Sequence, residues 1–163
     1  MNMEAPALLV ALEGSTFGET IRQSIWLYPA ANVAHVVGLA LFAGAVAVMD
    51  LRILGAFAAT TPANVIRPAR HAAVAALVLM ALSGSVLFTA EASHISLNPV
   101  FQLKAALVGL GIANAMLVAP ALARALADTP AYVPLPARVR TAALASIAIW
   151  LLVAACGRFI AYF

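Results

Sequence analysis

The chain has 163 residues, of which 65% are hydrophobic and only 9% charged, with a formal net charge of +3. That composition excludes a water-soluble globule and describes an integral membrane protein. The nine basic residues lie singly at the ends of apolar runs and form no basic stripe, so the charge excess points to membrane topology and away from nucleic acid.

Residues 1–25, MNMEAPALLVALEGSTFGETIRQSI, have no basic start, and their apolar core Ala7–Leu12 is cut short by Glu13, which is not the pattern of a secretory signal. The segment is also too short to cross a bilayer. Leu8, Leu9 and Leu12 alternating with Glu13, Glu19 and Arg22 predict one or two short helices lying in the interface, ending at an aromatic belt of Trp26 and Tyr28.

The first predicted span is 29–49. Pro29 to Met49 gives 21 residues without a formal charge, enough at about 1.5 Å per residue to cross a hydrocarbon core of about 30 Å. Its polar residues are Asn32 and His35 inside, with Tyr28 and Asp50 at the two ends. At about 100° per residue these fall within about 60° of His35, so one polar face is expected to look into a helix bundle. Three more spans are predicted at 71–90, 101–123 and 139–160. Ala72–Ala90 and Ala105–Ala123 each carry 19 residues without a formal charge, and Thr141–Gly157 carries 17. The predicted architecture is a single all-α domain over 1–163, an integral membrane four-helix bundle with short N-terminal interfacial helices.

Six of the nine basic residues, Arg52, Arg67, Arg70, Arg124, Arg138 and Arg140, fall in the connections 50–70 and 124–140; the other side has Arg22, Lys104 and Arg158. The positive-inside rule then places both connections in the cytoplasm, in a bacterial inner membrane, with both termini periplasmic. Thr61 and Pro62 predict a helix start in the first connection. Pro130, Pro134 and Pro136 predict an irregular loop in the second. Pro120 is expected to end or kink the third span near the membrane surface. Ala40 and Gly44, Gly109 and Ala113, and Ala142 and Ser146 are small residues four apart, which permits close helix packing. Gly109-Leu110-Gly111 follows no strand and is no nucleotide loop. Cys156, alone in an apolar run, reads as a buried structural thiol, with no disulfide, CxxC pair or CxxCH haem attachment open to it.

Three histidines in a four-helix bundle raise the question of b-type haem. His35 lies about 9 Å below the outer boundary and His71 opens the second span at the inner one, about 20 Å away along the membrane normal, so these two cannot hold one iron. His35 with His94, in the 90–100 loop, is the remaining bis-histidine or metal-ligating pair within the chain, with Tyr28 and Asn32 beside it as candidate cofactor contacts. Single ligation by His35, a Met partner, or a haem shared with another subunit also stays open, against a structural His35 bonded to a neighbouring helix. No HxxxH, HExxH or carboxylate–histidine cluster points to another metal. Glu91, His94 and Lys104 form an outer group that reads as solvated or paired at the headgroups. On the inner side Asp50, Arg52, Arg70, His71 and Asn114 form a second candidate cluster. Asp50 is expected to pair with Arg70 or Arg52, and Asn114 lies at a depth to hydrogen-bond this group, as a clamp on two helix ends or as a proton or quinone-headgroup site.

The arrangement Ile21-Arg22-x-Ser24-x-Trp26-Leu27-Tyr28-Pro29, then His35, Gly38, Asp50-Leu51-Arg52 and Leu54-Gly55, resembles a group of uncharacterised bacterial inner-membrane proteins with four helices. Leu87-Phe88, Asn98-Pro99, Phe101, Lys104 and Asn114 match the same pattern, so the resemblance covers most of the chain. It implies membership and carries no established activity. More distantly, the architecture is similar to copper-resistance D-type proteins and small four-helix cytochromes b, which implies a functional position for His35. In that pattern a histidine often follows the third-helix Asn. Here Asn114 is followed by Ala115-Met116-Leu117-Val118, a departure that goes against a two-histidine haem.

The leading expectation is a membrane-embedded redox or quinone-linked electron-transfer subunit, with b-type haem on His35 as its candidate cofactor. The alternatives are a non-catalytic assembly or accessory subunit and, third, a carrier for a proton, metal or small solute. Besides the lipid bilayer, the expected partners are further copies in a homo-oligomer or the subunits of a membrane complex. There is no nucleophile beside a base, no paired carboxylates in one span and no phosphate-cradling loop, so an enzyme working alone is not expected.

Overall fold

The computed structural model describes residues 5–162, and among these the chain forms seven α-helices and no strand. Two short helices, α1 (Ala7–Glu13) and α2 (Thr16–Gln23), precede the long α3 (Leu27–Leu54) and α4 (Pro62–Ala90). A one-and-a-half-turn α5 (Ala92–Leu97) leads into α6 (Pro99–Asp128) and α7 (Ala137–Phe159), which ends in a 3₁₀ turn, Ile160–Tyr162. Four of these helices are long and apolar enough to cross a membrane. The chain is thus built as a multi-pass membrane helical bundle.

Each long helix outruns its predicted span. Helices of 28, 29 and 30 residues exceed the about 20 residues that a hydrocarbon core needs. The surplus lies mostly at the arginine-bearing end, where α4 begins at Pro62 and α6 runs to Asp128. Pro120 therefore does not end the third span. The helix stops only where Thr129, extended at ψ 115°, precedes Pro130, the conformation that a following proline imposes.

The helix ends are fixed by side chains that the sequence places there. Ser15 Oγ accepts from the Gly18 amide at 3.1 Å and starts α2. Ser24 Oγ accepts from the Leu27 amide at 3.0 Å at the start of α3. Asn98 Oδ1 accepts from the Val100 and Phe101 amides at 2.9 and 3.2 Å, with Pro99 in the first turn of α6. Gly55 closes α3 at φ +118°, a left-handed conformation, so that the Ala56 amide reaches back to Leu51 O at 2.9 Å. Thr61 precedes Pro62 as expected, but its side chain makes no capping bond.

Packing joins α3 to α4 and α6 to α7 as two hairpins, with α7 laid against α3; α4 and α6 barely touch. At the arginine-bearing end Ile53, Ile66, Leu122, Leu126, Leu135 and Val139 form one core, which draws Leu135 of the predicted irregular loop inward. Further along the bundle Phe42, Val46, Ala73 and Ala76 form a second core. There the edge of Phe42 meets Trp150 at 4.5 Å and 76°. Gly111 gives Trp150 its room, since a Cβ on Gly111 would stand 2.7 Å from Trp150 Cζ2. Of the small-residue pairs, Ala40 with Gly44 and Gly109 with Ala113 face outward, and nothing lies within 4 Å of a Cβ built on Gly44 or Gly109. They do not pack this bundle, whereas Ser146 of the third pair is buried.

The N-terminal helices close the opposite end. Ile21 is fully buried, and Arg22 Nη1 donates to Glu13 O at 2.8 Å and to Ala90 O, the last residue of α4, at 3.1 Å. Glu13 Oε2 accepts from the Ser93 amide at 2.8 Å and from the Ser93 hydroxyl. These bonds to Ser93 hold the Glu13 carboxyl below its usual range, helped by nearby Arg22 and His94. A carboxyl depressed by folding contributes stability above its unfolded value, and loses it as pH falls through the lower folded value. Acidification below about pH 4 is therefore expected to release α1 from α5 while the spans stay folded. The protection of the Ser93 amide, the ratio of its intrinsic to its observed exchange rate at the same pH, should fall in that range, and protection that stays flat with pH would contradict the assignment.

Candidate functional site

Two polar regions lie along the bundle. In the first, His35 of α3 turns toward α4. Its Nδ1 is 3.1 Å from Ser83 Oγ, and that hydroxyl donates its own proton to Leu79 O at 2.7 Å. With its hydrogen on Leu79 O, the serine oxygen is able to accept from Nδ1, and the Met80 carbonyl stands beside the same ring as a further acceptor. Gly84 lets α4 come this close, because a Cβ there would stand 3.1 Å from His35 Cε1. Lys104 of α6 is near enough to His35 to act on it electrostatically, and its Nζ lies beside Gly157 of α7.

The other outer candidates are distributed differently. Tyr28 is half-buried and set beside Glu91. Asn32 is exposed, so the polar face does not turn inward as a whole: α3 is covered by α4 and α7, and the arc carrying Asn32 lies outside that cover. His94 is exposed on α5 and acts on Glu13, while His35 faces Ser83. The structure does not bring the two imidazoles into contact. Among the described residues no group of three or more His, Cys, Asp or Glu side chains is placed to hold a metal ion. Cys156 is buried with its thiol free, as expected.

The second region is a cavity of about 410 Å³ lined by all four long helices and open on one side. Phe42 and Val46 of α3, Leu77 of α4, Ile112 of α6 and Trp150 of α7 supply apolar wall, and Asp50, Arg70, Asn114 and Ser146 supply polar groups. Asp50 is only 1% exposed, yet its Oδ2 has no hydrogen-bond partner. Ser146 is the side chain set against its carboxyl. The expected pairing of Asp50 with arginine is not formed: among the described residues there is no such ion pair. Arg52, itself buried, turns away and donates from Nη2 to Thr60 O at 2.5 Å, leaving its own Nε without a partner. Arg52 thereby ties the end of α3 to the following turn, which removes it from the carboxylate. Asn114 does reach this region as expected, but one of its amide hydrogens goes to Ala142 O at 3.0 Å.

The mouth of the cavity is the seam between α4 and α6. Its exposed lining side chains are Val74 and Arg70 on one side and Ile112, Ala115 and Met116 on the other. A separate hollow of about 550 Å³ continues the seam past Arg70, lined by Arg67, His71, Ala75, Ala123 and Leu126. His71, expected in the cluster around Asp50, belongs to this hollow instead.

Residues 13–163 match the model of a family of unknown function, DUF6644. The chain belongs to that family. No curated protein and no solved structure matches it. Seen in the DUF6644 chain, the pattern Ile21 to Pro29 is largely architectural: Ile21 is core, Arg22 ties three helices together and Ser24 caps α3. Gly55 and Asn98-Pro99 are likewise helix ends, and Phe88 stacks on Phe101 at 5.4 Å to join α4 to α6 across α5. His35, Asp50, Lys104 and Asn114 are the members of the pattern that stand in the two polar regions.

Proposed function

We propose that this protein is a membrane-embedded, quinone-linked redox subunit that holds a quinone-class amphiphile in its four-helix cavity, with the polar head at the Asp50 end. The observation that carries the reading is the unpartnered Asp50 Oδ2 on the wall of an otherwise apolar cavity. A buried polar atom without a partner is costly, and a ligand that supplies the partner recovers that cost. The volume is in the range of small-molecule sites, whose walls are mostly apolar with a few convergent polar groups. A quinol hydroxyl would donate to the Asp50 carboxylate. A quinone carbonyl would instead accept from the second amide hydrogen of Asn114 or from Ser146. Phe42 and Trp150 offer faces and edges to a planar ring.

Electron exchange needs a partner centre, and the outward Ala40/Gly44 and Gly109/Ala113 faces would let another helix approach closely. This supports placement in a homo-oligomer or a larger complex of the bacterial inner membrane, with the six-arginine side cytoplasmic and both termini periplasmic. A second reading is favoured by one observation: the Ser83 contact orients the His35 ring through Nδ1, as an outer partner orients an axial imidazole. That reading gives b-type haem with a single ligand from this chain, and it predicts Soret absorbance in the purified protein.

Trp150 lines the cavity and Trp26 lies outside it, 75% exposed. In a Trp26→Phe variant, a short-chain naphthoquinone is therefore expected to quench the remaining tryptophan emission saturably. Linear quenching equal to that of free tryptophan in the same detergent would overturn the proposal.

A further inference from the structure

The second hollow carries a feature that the quinone reading leaves unused. Arg67, Arg70 and His71 stand at helical positions i, i+3 and i+4 of α4, which puts them on one face, and all three line this hollow and are exposed. No carboxylate lines it, and among the described residues none of the three is in an ion pair. Its remaining walls, Val74, Ala75, Ala123 and Leu126, are apolar. From Val74 the exposed surface of α4 continues along the seam through Val78 and Leu82. A cationic head site is thus joined to an apolar track that runs along the membrane-crossing part of one helix.

We infer that this hollow binds the phosphate headgroup of an anionic glycerophospholipid, whose acyl chain lies along α4 over the α4–α6 seam. Charge complementarity selects the headgroup: two guanidinium groups and an imidazole line one hollow on one helix face, with no carboxylate among its lining residues to compete for them. The apolar continuation selects a lipid over a soluble phosphate. Arg70 borders both hollows, so the bound phosphate also balances the one arginine on the wall of the Asp50 cavity. The site stands on its own residues and does not require a quinone.

The test is native mass spectrometry of the full chain released from bilayers of phosphatidylglycerol and phosphatidylcholine with identical acyl chains. The protein is expected to retain phosphatidylglycerol about tenfold or more above its bulk ratio. Arg67→Gln combined with His71→Gln should bring retention close to the bulk ratio, while Arg124→Gln, an exposed arginine of α6 outside the hollow, should leave it unchanged. Arg67→Lys, which keeps the charge, should keep most of the enrichment, separating loss of the site from loss of the fold. Equal retention of the two lipids, or an equal fall in Arg124→Gln, would overturn the inference. Full displacement by glycerol 3-phosphate at millimolar level would also overturn it, since it would mark a soluble-phosphate site.

Discussion

Asp50→Asn is expected to raise the melting temperature while weakening quinone binding by about tenfold or more. Asp50 sits on the last turn but one of α3, buried, with one carboxyl oxygen unpartnered and no cation paired to it. An ionised group in that setting, with a serine beside it and no cation, recovers only part of its desolvation cost. The amide has the same shape and a smaller cost, so the folded state gains, by ~1–2 kcal/mol on the scale of unsatisfied buried polar groups. The same change removes the acceptor for a quinol hydroxyl. Stability and binding thus move in opposite directions, as expected where a site is kept at the expense of the fold. Thermal unfolding in detergent and the Trp150 quenching titration measure the two halves. A lower melting temperature would show that the carboxylate clamps the helix ends after all.

Gly111→Val is expected to cost about 3 kcal/mol, the upper part of the overpacking range. Even a Cβ on Gly111 would meet three atoms of the Trp150 ring, at 2.7, 3.0 and 3.1 Å. The ring has no easy retreat, because Phe42 stands edge-on against it. The α6–α7 hairpin must then splay, and the cavity that Trp150 lines must change shape with it. Gly109→Val is the matched control for packing within one chain, since nothing in the chain lies within 4 Å of its Cβ; its effect on unfolding of the detergent-dispersed single chain should stay within about 0.5 kcal/mol. Reversible unfolding of the two variants side by side decides the matter, and equal losses would contradict the packing described.

The two glycines also mark how far the sequence can be read. Charge-free length identifies the four spans, because the cost of charge in hydrocarbon is large and acts on every residue of the run. It does not identify helix ends, since a helix continues into the headgroup region wherever Arg67, Pro68 or Arg70 can remain helical. Nor does it give the rotation of each helix. Spacing places Gly109 and Ala113 on a close-packing motif, yet the neighbour of α6 is on the Gly111 side. The same limit applies to Asn32, which shares an arc with His35 and lies beyond the cover of α4 and α7.

At the candidate site, Asp50 and Asn114 are legible because polar groups at that depth require a reason. Ser146, Trp150 and Gly84 are not, since serine, tryptophan and glycine are ordinary in a membrane helix. Their roles come from the facing residue on another helix: Asp50, Phe42 and His35 respectively. The pairing of Asp50 with arginine fails for a local reason. The left-handed turn at Gly55 brings Thr60 O within reach of Arg52, which takes the nearer acceptor.

The loosely joined α4 and α6 bear on how the proposed quinone would reach the cavity. A compartment whose doorway gives onto acyl chains would be supplied from the bilayer plane, and an amphiphile bound there would never be dissolved in water on the way in. Its occupancy would then follow mole fraction in the lipid. Diluting the sample with buffer would leave such a compartment loaded, whereas adding empty vesicles would drain it.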